Sequence, residues 1–237
     1  VLSIRNSKGV SLYNLTLGHT KEPGSCVGGV IECLTSEGIT VENCSLYGCG
    51  IVGINAVNCG DIFVTGSKIY DCSEAALEYD SCSNCIFDNV EIFGCNGFTA
   101  LANIRSSRNI GIINSDIHDN TAPVFLYSDY SKNVYLGGLL TENNDFDGMI
   151  FASNYPVTVD GCAFKEAAGT DAYPDTMGYF YESMQNLGAV TPELNPISKK
   201  ELFAGERKEN VTWIPNENEP DMSPIEPSAD GMVHVKN

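Results

Sequence analysis

Six residues of this chain carry side chains that could act together: Glu78 and Asp80, Asn103 and Arg105, Tyr127 and Asp129. Each pair is separated by one residue, and the pairs succeed one another after 25 and 24 residues. Residues two apart on an extended strand share a face, so three such strands side by side would gather all six into one polar patch. Glu78 and Asp80 are the candidate metal ligands, with calcium as the hard cation their oxygens suit. Arg105, flanked by Asp80 and Asp129, would serve as a base or as a clamp on a carboxylate, and Tyr127 as an acid. Asn103 and Asp129 would bind substrate. A sugar acid, whose carboxylate acidifies a neighbouring C–H, matches that set. The plain alternative is a cross-strand ladder of ion pairs on a solvated face.

His19 is the other candidate for substrate contact. It precedes the longest insertion in the repeated region, Lys21 to Gly29, and loops projecting from a regular scaffold often carry function. A longer turn holding a bonded histidine is the simpler account. His118, in Asp116-Ile-His118-Asp119, shares its place with Tyr47, Tyr70 and Phe93 and is expected to continue an aromatic column. Cys82-Ser-Asn-Cys85 has the spacing of half a zinc site, but no second pair accompanies it, so structural filling is expected.

The elements that must position these residues are written in a repeat. Val10-Ser-Leu-Tyr-Asn-Leu-Thr-Leu17 is echoed by segments starting at Ile39, Ile62, Cys85, Ile110, Val134 and Val157, at intervals of 29, 23, 23, 25, 24 and 23 residues. Within each, apolar residues alternate (Ile39, Val41), then shift phase (Cys44, Leu46), which predicts two short strands joined by a corner. The corner residue is Asn14, Asn43, Gly66, Asn89, Asn114, Gly138 or Gly161, types that accept a left-handed backbone. A third short strand precedes six of the segments, as in Ile31-Glu-Cys33 and Leu77-Glu-Tyr79. Three strands and three turns per unit predict an all-β, right-handed three-sheet parallel β-helix of about seven coils over residues 1–167, with a non-repetitive C-terminal tail or cap over 168–237.

The ten cysteines mostly follow the same period: Cys49, Cys72 and Cys95 stand 23 residues apart, as do Cys59 and Cys82. Cysteine is therefore expected as a small reduced core residue stacked on its neighbours rather than as a disulfide framework. The chain begins at Val1 inside a repeat and is read as a mature fragment, in which a missing signal peptide says nothing about export.

This repeat resembles the pectate-lyase-like superfamily of right-handed β-helix proteins, over roughly residues 1–167. The resemblance implies calcium-binding aspartates with a catalytic arginine, and so supports the roles proposed for Asp80 and Arg105. It also admits polygalacturonase-like hydrolysis, but Gly18-His19-Thr20 lacks the second glycine of a Gly-His-Gly motif and no Asp-Asp pair occurs.

Charge narrows the partners. With 13 basic and 31 acidic residues, the net charge of −18 excludes nucleic acid as a partner. No apolar run is long enough to span a membrane as a helix. In the tail, six prolines after Gln185 forbid long helices. It is expected to lie along the solenoid or to cap the last coil, with Val211-Thr-Trp213-Ile214 as an anchor. Two functions follow from this sequence. One is an extracellular or cell-surface enzyme acting on an acidic polysaccharide or other carbohydrate by β-elimination, with calcium as the expected cofactor. The other is a non-catalytic carbohydrate-binding or surface scaffold.

Overall fold

The computed structural model describes residues 1–19, 28–48 and 52–164. Among them the chain forms twenty-one strands, numbered in chain order, in three parallel seven-stranded sheets. Sheet A holds β1 (Leu2–Arg5), β4 (Gly29–Leu34), β7 (Val52–Val57), β10 (Ala75–Asp80), β13 (Ala102–Arg105), β16 (Thr121–Asp129) and β19 (Asp145–Ser153). Sheet B holds β2 (Lys8–Tyr13), β5 (Glu37–Glu42), β8 (Gly60–Thr65), β11 (Ser83–Asp88), β14 (Arg108–Ile113), β17 (Lys132–Gly137) and β20 (Val157–Asp160). Sheet C holds β3 (Thr16–Gly18), β6 (Ser45–Tyr47), β9 (Lys68–Tyr70), β12 (Glu91–Phe93), β15 (Asp116–His118), β18 (Leu140–Glu142) and β21 (Ala163–Phe164). One strand of each sheet makes a coil, and every coil pairs with the next in register, so the chain is a right-handed β-solenoid.

Left-handed residues turn the chain at each corner. All seven predicted corner positions between sheets B and C have positive φ, from 49° at Asn114 to 61° at Gly138. The A-to-B corner uses the same device at Asn6, Thr35, Asn58, Ser81, Ser106, Tyr130 and Asn154. A further left-handed residue lies inside each of the first six sheet B strands: Gly9, Gly38, Asp61, Asn84, Asn109 and Asn133. It steps out of the pairing ladder, as Lys8 pairs with Glu37 and Val10 with Ile39 while Gly9 is skipped. Four of these side chains bond from coil to coil, each amide donating to the oxygen below: Asn84 to Asp61 at 2.9 Å, Asn109 to Asn84 at 2.9 Å and Asn133 to Asn109 at 3.1 Å. The ladder satisfies polar groups that are largely buried.

The core is a set of columns running through the coils, for example Ile31, Ile54 and Leu77, each at most 1 % exposed. Large and small residues alternate where space demands it. Tyr79 stacks above Ala56 in the next coil, and its ring tilts against Phe87 at 5.4 Å.

Eight cysteines are described, and all are buried and unbridged. They are more than apolar filler, because six of the eight sit just past a left-handed residue at a corner, four of them where other coils use serine. Cys59 and Cys82 donate S–H to the carbonyls of Val57 and Asp80, as Ser107 and Ser131 donate O–H to Arg105 and Asp129. Cys44 and Cys162 do the same at the next corner, alongside Ser67 and Ser115. Cysteine and serine thus share one task, a side-chain donor closing the turn on the carbonyl two residues back. Burial raises the thiols of Cys33 and Cys162, the latter to about 12, so both stay protonated. Cys26 and Cys49, and the expectations for the tail from 168, lie outside the described residues.

Tyr79 carries one polar atom with no use here. Its hydroxyl is buried and has no hydrogen-bond partner among the described residues. A buried donor left unpaired costs about 1–3 kcal/mol, whereas a shape-matched apolar group costs nothing of that kind. Tyr79→Phe is therefore expected to stabilise the fold by about 1 kcal/mol, read as a rise in the denaturant midpoint at unchanged slope. A fall in midpoint would show that the hydroxyl is bonded after all.

Candidate functional site

Strands β10, β13 and β16 bring the six sequence-selected residues of the patch together. Glu78 lies opposite Asn103, which lies opposite Tyr127, and Asp80 opposite Arg105, which lies opposite Asp129. Strand β19 extends both rows by one coil, with Phe151 beside Tyr127 and Ser153 beside Asp129. These two residues were missed because no preceding strand was assigned to the seventh coil. The signal was present: buried Ile150 and Ala152 flank Phe151 in the alternation shown by Leu126 and Ser128 one period earlier.

Arg105 stands in the middle of the patch, half-exposed. Its Nη2 is 3.8 Å from Glu78 Oε1, an ion-pair distance too long for a hydrogen bond. The fate of Arg5, in the same row four coils away, is different. Arg5 donates to Ser3 Oγ at 2.8 Å and to Glu32 Oε2 at 2.9 Å. Partial burial raises the Glu78 carboxyl, and Arg105 only partly offsets it. Asp80 accepts a hydrogen bond from Ser81 Oγ at 2.8 Å. Asp129 accepts from Ser153 Oγ and, at 3.5 Å, from Asn154 Nδ2. The Tyr127 and Phe151 rings stack nearly parallel, with centroids 5.0 Å apart.

Asn103 departs from expectation. It sits in the outward row but is only 3 % exposed, and its Oδ1 is enclosed without a partner among the described residues. Its row neighbours are the longer Glu78 and Tyr127. A short amide between two long side chains about 4.8 Å away on either side sinks below the surface they define. His19 is not part of the patch. Its amide donates to Tyr47 O at 3.1 Å in the first coils, four coils or about 19 Å along the axis from Arg105.

As calcium ligands, Glu78 and Asp80 are an incomplete set. Calcium takes six to eight oxygens, and no three His, Cys, Asp or Glu side chains among the described residues group as metal ligands. Arg105 also stands beside Glu78 as a competing cation. The described residues alone do not frame a calcium site there.

Sheet C carries a second ordered surface. Tyr47, Tyr70, Phe93 and His118 form one stacked column with centroid spacings of 5.4, 4.9 and 5.3 Å, as expected for His118. Such rings turn their faces to one another and only their edges to solvent, which makes a poor platform for a sugar. Partial burial opposes a charge on His118, but Nδ1 bonded to Asp119 at 2.8 Å and Nε2 to Glu91 at 3.3 Å outweigh it, and the pKa is raised above 6.5. A raised folded-state pKa stabilises the fold fully below the unfolded value and ceases to do so as pH climbs through the raised one. Melting temperature is thus expected to fall from about pH 6 to about pH 8 by a component absent in His118→Asn. An identical decline in the variant would assign it elsewhere.

Comparison with known proteins bears on the fold alone. A search of curated proteins found no match. The family described as the right handed beta helix region matches residues 2–103 and, in an overlapping second match, 29–182. Those matches span well over half of the sequence and coincide with the coils of all three sheets. The chain belongs to the right-handed β-helix family.

Proposed function

We propose that this protein is carbohydrate-active, holding an acidic oligosaccharide along the outer face of sheet A with Arg105 clamping a sugar carboxylate. The observation that carries the reading is the state of Arg105: half-exposed in the centre of a registered polar patch, with none of its N–H groups donating a hydrogen bond among the described residues. A guanidinium has five donors in a planar fork that matches a carboxylate. The same family scaffold elsewhere spends such an arginine, Arg5, on its neighbours.

A chain of sugars lying across coils 4 to 6 would meet Glu78 and Asp80, then Arg105, then Tyr127 and Asp129. β-Elimination is the reaction this order suits. Arg105 would hold the carboxylate and so acidify the adjacent C–H, and the neighbouring Asp129 carboxylate would take that proton. Tyr127 would donate a proton to the departing oxygen as its C–O bond breaks and the C=C bond forms. Substrates of this kind are met outside the cell or at its surface. The acidic surface opposes a polyanion, so binding is expected to strengthen as salt screens the repulsion.

The test is a panel of pectate, alginate and glycosaminoglycan oligosaccharides, each scored for binding and for the ultraviolet absorbance of an unsaturated product, with and without calcium. Product from one of them supports the lyase. Binding without product supports the second reading, a non-catalytic carbohydrate module, which the unmet metal set favours. No binding to any acidic sugar overturns the proposal.

A further inference from the structure

Six lysines and arginines lie among the described residues, and they divide by coil. Arg5, Lys8 and Lys68 each pair with a glutamate one coil away, Glu32, Glu37 and Glu91 respectively. Arg105, Arg108 and Lys132 belong to coils 5 and 6. Arg105 reaches Glu78 only at 3.8 Å, and the exposed Arg108 and Lys132 form no ion pair among the described residues. In a chain with 31 acidic and 13 basic residues, cations that meet no carboxylate call for a physical reason.

Their placement costs stability. Arg108 on β14 lies directly opposite Lys132 on β17, and like charges so placed repel. The Lys132 ammonium lies over the Tyr155 ring, 4.8 Å from its centroid. Between this row and the Arg105–Asp129 row of sheet A runs the A-to-B corner, and in coil 6 the left-handed corner residue is Tyr130. Its φ is 49°, a conformation that a bulky side chain adopts only at a cost. The other six coils place Asn, Ser or Thr at that corner. Packing does not offset the cost, because Tyr130 is 63 % exposed and has no side-chain hydrogen bond or ring contact among the described residues. Local features that cost stability without structural return gather where a protein binds something.

We propose that the A-to-B corner of coils 5 and 6 is a second subsite for an acidic oligosaccharide, in which Arg108 and Lys132 hold an acidic group and the Tyr130 ring carries the apolar face of the sugar beside it. The inference rests on the reading of sheet A and extends it: a sugar chain that passes Arg105 and Asp129 continues over Tyr130 to the edge of sheet B. Arg108 follows Arg105 by three residues, so their Cα atoms lie within about 11 Å and one short oligosaccharide reaches both. An anion between Arg108 and Lys132 also relieves their mutual repulsion. An aromatic ring with one polar end suits a ligand that has both apolar C–H faces and hydroxyls. The ligand class thus narrows to oligosaccharides with acidic groups, carboxylate or sulfate, on more than one sugar unit.

Calorimetric titration of the full chain with short oligosaccharides of pectate, which carry carboxylates alone, and of a sulfated glycosaminoglycan tests this. Arg108→Gln and Tyr130→Asn should each bind the better ligand at least fivefold more weakly than the unaltered chain. Their denaturant midpoints should hold or rise, because one loses a like-charged neighbour and the other gains a residue that suits the corner. Lys8→Gln removes the same charge from the same row four coils away and should bind as the unaltered chain does. Tighter binding of the pectate or of the sulfated ligand identifies carboxylate or sulfate as the acid held, and either supports the subsite. Unchanged affinity in Arg108→Gln and Tyr130→Asn, beside a loss in Arg105→Ala, overturns the subsite and leaves the sheet A reading standing. A loss in the two corner variants without one in Arg105→Ala supports the subsite and refutes the clamp. An equal loss in Lys8→Gln and Arg108→Gln reveals general charge attraction and overturns the subsite. No binding of either ligand to the unaltered chain overturns both readings.

Discussion

Replacing Asn109 by alanine is expected to cost about 3 kcal/mol, the larger of the two main effects foreseen here. Two independent losses add. Asn109 has φ of 55°, where a side chain without a local hydrogen bond costs about 1–2 kcal/mol. It also donates to Asn84 Oδ1 and accepts from Asn133 Nδ2, so its removal breaks the ladder on both sides. Stranding those two amides costs about 1–3 kcal/mol more. Asn109→Gly separates the parts, since glycine adopts the left-handed backbone freely but supplies no amide. Denaturant unfolding should therefore rank the unaltered chain above Asn109→Gly, and Asn109→Gly above Asn109→Ala by about 1–2 kcal/mol. Equal values for the two variants would mean that the backbone conformation carries no strain and the ladder everything.

The second large effect concerns ligand. Arg105→Ala should weaken binding of an acidic oligosaccharide by roughly 2–3 kcal/mol, a loss of about 30- to 150-fold in affinity, because hydrogen bonds to a charged partner are the strong ones. Arg105→Lys keeps the charge and forfeits the fork, and should recover only part of the loss. Folding should change little in either variant, since the 3.8 Å contact with Glu78 lies in an exposed setting. Isothermal calorimetry with the best ligand of the panel measures both. If Arg105→Ala binds as well as the unaltered chain, Arg105 is a surface charge and the clamp is refuted. Arg5→Ala serves as the control, because Arg5 already spends its donors on Ser3 and Glu32.

Much of this architecture was legible in the order of residues, for a physical reason. A parallel solenoid pairs each residue with its counterpart one coil away, so equivalent environments recur at a fixed interval and select similar side chains. That is why the corner residues from Asn14 to Gly161, the paired rows from Glu78 to Asp129 and the aromatic column ending at His118 could be placed by spacing alone. A strand also dictates which face a residue takes, by simple alternation. The other left-handed series escaped notice because residues of mixed type occupy them, such as Thr35 and Tyr130 among the asparagines of the A-to-B corner.

Alternation says nothing of what lies above a face, and there the tertiary structure decided. Asn103 points away from the core, yet it is buried, held between the longer Glu78 and Tyr127 of its row. The cysteines show the same division. Their period marked them as stacked and reduced, but only the corner geometry shows that Cys59 and Cys82 donate to the carbonyls two residues back, in the manner of Ser107. Arg5 and Arg105 are alike in the sequence and occupy the same row, and only the side chains beside them make one a closed contact and the other an open donor. Direction is a local property of the chain; accessibility and hydrogen bonding are properties of what the fold brings near.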